Sequence, residues 1–138
     1  MATGEQNLSV LLATMEPTLD SKTYVFITTT QALHLLPLAT LQPTLIAHEA
    51  EGTTIVTTED LAASHGLEGV FPCKRISLTV HSSLEAVGLI AAITNRLKDH
   101  QISTNVVSGY YHDHIYVPAE RAEDAMPVLE DLIEEAKK

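Results

Sequence analysis

KRISLTVHSSLEAVGLIAAITNRLKDHQISTNVVSGYYHDHIYVP, residues 74–118, changes its hydrophobic period twice, and those changes decide the fold. In KRISLTV the apolar residues Ile76, Leu78 and Val80 alternate, as on a half-buried strand. From Ser83 to His100 the period lengthens, and Ala86, Ile90, Ile93 and Leu97 form one stripe of a helix. ISTNVVSG and HDHIYVP return to β-branched runs and read as paired strands around Gly109. EDAMPVLEDLIEEAKK then reads as a helix with Met126, Leu129, Leu132 or Ile133, and Ala136 on its buried side. Starting it near Asp124 would put Pro127 in the first turn, where a missing amide costs nothing. The order is βαββα.

The first half repeats this order less clearly. NLSVLLATMEPTLD predicts a short helix that stops at Pro17, and KTYVFITTT a strand. ALHLLPLATLQP predicts a helix broken at Pro37, and TLIAHEAEGTTIVTT a hairpin turning at Glu51-Gly52. TEDLAASHG predicts a two-turn helix with Thr57 or Thr58 as N-cap and Gly66 as its stop. The expected fold class is α+β: two ferredoxin-like units, residues 1–72 and 73–138, each with an antiparallel sheet and helices on one face. The second unit ends one strand short of βαββαβ. Its first strand would be left as an edge, so a strand borrowed from the other half or from a second chain is expected.

Composition removes several function classes. Eighteen acidic against eight basic residues give a formal charge of −10, and the only adjacent basic pairs are Lys74-Arg75 and Lys137-Lys138. Such a chain repels a phosphate backbone, so no nucleic-acid partner is expected. No apolar run approaches a membrane span, and MATGEQNLSV lacks the basic start and apolar core of a signal peptide. Cys73 is the single cysteine, so no intrachain disulfide can form. A cytoplasmic location with no membrane contact is the expectation.

RISLTV, followed by HSSLEAVGLIAAI and ISTNVVSGYYHDHIYVP, resembles the ACT domain, a regulatory module that binds amino acids. More narrowly, it is similar to small stand-alone proteins with two ACT-like units in tandem, and related units occur in cytosolic amino-acid sensors. MEPTLDSKTYVF and HEAEGTTIV are the parts of the first half that fit. The resemblance implies an effector where the first strand runs into the first helix. Here that means Val80, His81, Ser82, Ser83, Leu84, Glu85 and Gly88, facing Tyr111, His112 and Asp113.

The residues themselves say more about those positions. Ser82-Ser83-Leu84-Glu85 satisfies an S-x-x-E capping box, and a helix start with its remaining amides suits a carboxylate. Gly88 is costly inside a helix unless the neighbouring strand or a ligand must approach the backbone. Alternation puts Asp113, Ile115 and Val117 on the helix-packed face of their strand. His112, His114 and Tyr116 then look away, toward solvent or a second sheet. His81 could join the two histidines around a metal, but no carboxylate completes that face, and no metal or other cofactor is expected.

No G-x-S-x-G, Walker, Rossmann or H-E-x-x-H motif is present, so the chain is not expected to be an enzyme. The resulting expectation is a non-catalytic, regulatory amino-acid-binding protein, a homodimer. The alternatives are an ACT-shaped dimerisation module without a working ligand site and a His-dependent metal enzyme.

Overall fold

The computed structural model describes residues 7–80 and 86–138. In chain order its elements are α1 (Leu8–Thr14), β1 (Glu16–Leu19), β2 (Tyr24–Thr29), a 3-10 turn (Leu33–Leu35), α2 (Leu38–Leu41), β3 (Leu45–Glu49) and β4 (Gly52–Thr58). Then come α3 (Glu59–Ser64), β5 (Val70–Thr79), α4 (Leu89–Asp99), β6 (Asn105–Ser108), β7 (Asp113–Pro118), a second 3-10 turn (Ala119–Arg121) and α5 (Ala122–Ala136). The fold is α+β, with antiparallel strand pairs and helices packed against them.

The chain divides into two compact units, and the division does not coincide with the halves 1–72 and 73–138. Residues 21–73 form one unit; residues 1–20 join 74–138 in the other. In the unit of residues 21–73, β2 is paired on one side with β4, Tyr24 opposite Thr58. On its other side lies the start of β5, Tyr24 opposite Cys73. With β3 on β4, the order β3-β4-β2-β5 is that of a complete ferredoxin-like unit. Its core is Val25, Ile27, Leu41, Ile55 and Ala62.

The other unit acquires its fourth strand from upstream. β1 pairs antiparallel with the end of β5, Glu16 opposite Thr79 and Leu19 opposite Ile76, giving β1-β5-β7-β6. The edge that the sequence left bare is therefore covered by residues 16–19. The reading of NLSVLLATMEPTLD as a helix ending at Pro17 needs correction, since the helix stops at Thr14 and Pro17 lies within β1. An edge strand tolerates a residue that cannot donate an N–H. α1 adds Leu11 and Leu12, and its C-cap Met15, to a core that also holds Ile76, Leu78, Ile93, Leu97, Ile115, Val117 and Leu129.

Ile115 and Val117 pack among the helices, as alternation requires. The opposite face is less open than expected: Tyr116 is 2% exposed and His114 half-buried. α5 begins at Ala122 and not near Asp124, which leaves Pro127 in the second turn. Arg121 fixes that earlier start by donating to the carbonyls of His100 and Gln101 and to Asp124. Glu123, whose carbonyl loses the proline's hydrogen bond, is exposed and can be hydrated.

Candidate functional site

Gly88 is the N-cap of α4, with φ 99° in the left-handed region that favours glycine. The expectation that Gly88 lies one turn inside the helix is thereby corrected, and Ala86 and Val87 are not helical. Conformation explains the glycine better than crowding does, because among the described residues a Cβ there would meet Leu8 Cδ2 at 3.4 Å and Cδ1 at 3.9 Å, both ordinary contacts. The first i→i−4 bond of the helix is Ala92 N–H to Gly88 O, 2.9 Å. Gly88 has no side chain with which to cap the amides of Leu89, Ile90 and Ala91 ahead of that bond.

Those three residues line one wall of a cleft of about 170 Å³. The facing wall is the β6–β7 turn, Ser108 to Asp113. Gly109 N–H donates to His112 O at 2.9 Å, closing the turn so that Tyr110 and Tyr111 project from it. Both rings are largely exposed and stand edge to face, their centroids 4.9 Å apart. Asp113 opens β7 opposite Ser108 and is half-buried. Its carboxylate makes no hydrogen bond or ion pair with another side chain among the described residues.

Of the residues singled out in the sequence, Gly88, Tyr111, His112 and Asp113 meet in this cleft. Val80 instead belongs to the core, 6% exposed. His81, Ser82, Ser83, Leu84 and Glu85, with the capping box they spell, lie outside the described residues. Sequence reasoning missed Ala86, Leu89, Ile90, Ala91, Ser108, Gly109 and Tyr110 as lining. The one available signal was Gly88, whose left-handed conformation resets the helix start and brings the next three residues to the cleft.

The histidines separate. His112 is exposed at the cleft, whereas His114 Nδ1 shares a 2.8 Å hydrogen bond with Ser77 Oγ of β5. Burial holds the His114 imidazole below its ordinary pKa, helped by the nearby charges of Arg75 and His112 and opposed by Asp113. Among the described residues no three His, Cys, Asp or Glu side chains converge as a metal ion would require. Cys73 is fully buried and desolvation pushes its thiol up to about 12, so it is not a thiolate at neutral pH.

Residues 3–74 match one ACT domain family and residues 70–131 match a second. The chain belongs to the ACT domain family, whose domains are regulatory modules. Within that family it is a tandem of two such domains. A Vibrio cholerae protein of unknown function, described as a possible transport protein, is 43% identical, with 91% of this chain and 95% of that one covered and a TM-score of 0.82. The ligand-free regulatory subunit of aspartate kinase from Thermus thermophilus shares the fold at 12% identity, over 88% of this chain and 97% of that one, with a TM-score of 0.64. Escherichia coli aspartokinase III, solved with aspartate and ADP, shares it at 12% identity, over 86% of this chain and 33% of the enzyme, with a TM-score of 0.61. A search of curated protein sequences finds no match. Among the described residues no helix is long and apolar enough to cross a membrane.

Proposed function

We infer that this is a non-catalytic regulatory protein that binds an amino acid in the cleft between α4 and the β6–β7 turn and reports its occupancy to a partner. One observation carries the reading: among the described residues, a helix start without a side-chain cap and a carboxylate without a side-chain partner line the same small space. The amides of Leu89, Ile90 and Ala91, at the positive end of the α4 dipole, suit an α-carboxylate. Asp113 suits an α-ammonium. A zwitterion answers both, whereas a simple carboxylic acid answers one. The volume lies below the ~300 Å³ at which pockets for drug-sized ligands begin, which favours a metabolite of amino-acid size.

The same reading makes the protein cytoplasmic and a homodimer, to be checked by fractionation and by sedimentation equilibrium. Calorimetry with amino acids and with the matching carboxylic acids tests the site itself. Asp113→Asn keeps the shape and removes the charge, and should weaken amino-acid binding by about 1.5–3 kcal/mol with little change in stability. Equal binding by the variant, or equal binding of acetate and glycine by the parent, defeats this reading. The alternative, an ACT-shaped dimerisation module, has in its favour the exposed Val87, Tyr110 and Tyr111. It is the conclusion to draw if no amino acid binds.

A further inference from the structure

We propose that the cleft selects an amino acid with a single carboxylate and a neutral, apolar side chain, which the Tyr110–Tyr111 pair covers. This rests on the reading of the cleft as an amino-acid site and adds a specificity to it.

The charges of the lining exclude the other side-chain classes. Neither lysine nor arginine lines the cleft. None occurs anywhere in residues 76–95 or 99–120, the two stretches that build it. An acidic side chain would bring a second carboxylate into the space with no cation to receive it, at the desolvation cost of an unpaired charge. Asp113 is the only acid that lines the cleft among the described residues, and the α-ammonium engages it. A cationic side chain is then left with no second carboxylate among the described residues of the lining.

The remaining lining is mixed: Ser108 and His112 are polar, and the apolar part lies on the helix side and the tyrosine pair. Ala86, Leu89, Ile90 and Ala91 line the helix side. The two tyrosine rings on the turn are 75% and 76% exposed. Aromatic area held in water at the mouth of a cleft is area whose removal from water favours binding. An aliphatic side chain lying under the rings removes it, and a polar one gains much less. Because Tyr110 and Tyr111 are adjacent on a single turn, one small movement of that turn brings both over the ligand.

The protein carries its own reporter for this closure. It has four tyrosines and no tryptophan. The other two tyrosines, Tyr24 and Tyr116, are 2% exposed, so acrylamide quenching of tyrosine emission reads mainly Tyr110 and Tyr111. With the full chain, L-leucine should protect the emission from acrylamide. By calorimetry it should bind at least roughly tenfold more tightly than L-aspartate, L-arginine or glycine, the factor that corresponds to burying one or two methylenes. A double variant, Tyr110→Ala with Tyr111→Ala, replaces exposed side chains and should fold normally. It should lose about tenfold in leucine affinity and hold glycine as the parent does.

Tighter binding of aspartate or arginine than of leucine overturns the specificity and leaves the amino-acid site standing. So does parental leucine affinity in the double variant, or leucine binding without protection from acrylamide. Failure of all four amino acids to bind defeats the site and the specificity together.

Discussion

The two units share one strand order and differ in the crossover after their first strand. After β2, the unit of residues 21–73 has a 3-10 turn and the four-residue α2, flanked by Pro37 as N-cap and by Gln42 as C-cap in a left-handed conformation, φ 50°. The equivalent crossover in the other unit includes the eleven-residue α4, with Gly88 at its start. The facing hairpins differ in the same sense. β3 and β4 join through Ala50 and Glu51, and a Cβ on Gly52 would come within 2.9 Å of Thr29 O, so the turn packs directly on the end of β2. The β6–β7 turn spans Gly109 to His112 and stands off from α4, leaving the cleft. Among the described residues, a full helix start facing a projecting turn leaves a cleft in one unit, while the equivalent elements of the other unit are a shortened crossover and a tight hairpin.

The largest expected effect concerns how the cleft-bearing unit is completed. A fragment of residues 75–138 lacks β1 and the buried Leu11, Leu12 and Met15, each worth about 1.5–3 kcal/mol when buried. That sum rivals the 5–15 kcal/mol stability of a typical domain, so the fragment should be unfolded by circular dichroism. A stable folded monomer would show that the N-terminal strand is dispensable and the comparison of complete units misplaced.

Next in size, Leu41→Ala in the other unit removes a fully buried side chain and should cost about 2–5 kcal/mol in urea denaturation. Because residues 21–73 supply no lining to the cleft, amino-acid affinity at a temperature where the variant is folded should equal that of the parent. A changed affinity would mean that the two units do not differ in function as their crossovers suggest.

Gly88→Ala probes the helix start at intermediate size. A residue with a Cβ in that left-handed conformation costs roughly 1–2 kcal/mol, and relief by refolding the start would misplace the amides of Leu89 to Ala91. Both stability and amino-acid affinity should fall. An unchanged affinity would place the carboxylate elsewhere.

The smallest effect is a pH dependence that traces to His114. His114 titrates below its ordinary value of 6.5 in the folded protein because it is partly buried near Arg75. Below pH 6.5 the unfolded chain therefore binds more protons than the folded one, and stability falls as pH drops through the lowered folded value. Above pH 6.5 this contribution is fully present and flat. His114→Gln should flatten the acid limb below pH 6.5 in urea-melt measurements. An identical limb in parent and His114→Gln would contradict the partial burial.

Much of this was legible in the chain. Alternation at Ile76, Leu78, Ile115 and Val117 and the stripe through Ile93 and Leu97 report faces that are buried whatever their partners, so both periods survive in the fold. The hairpin at Glu51, the N-cap at Thr58 and the broken helix around Pro37 follow from local turn and capping chemistry. Gly88, Tyr111, His112 and Asp113 could be placed together because an antiparallel sheet returns β7 beside the end of β5.

What tertiary structure decided lies where local preference is weak or outweighed. Residues 16–19 carry no strong strand pattern and include a proline; they become β1 because β5 needs an edge partner. Pro127 sits in the second turn of α5 because Arg121, bonded to the carbonyls after α4, fixes where that helix begins. The cleft is a distance between two elements, the α4 start and the β6–β7 turn, and hydrophobic periodicity records which face of an element is buried but not how far apart two elements stand.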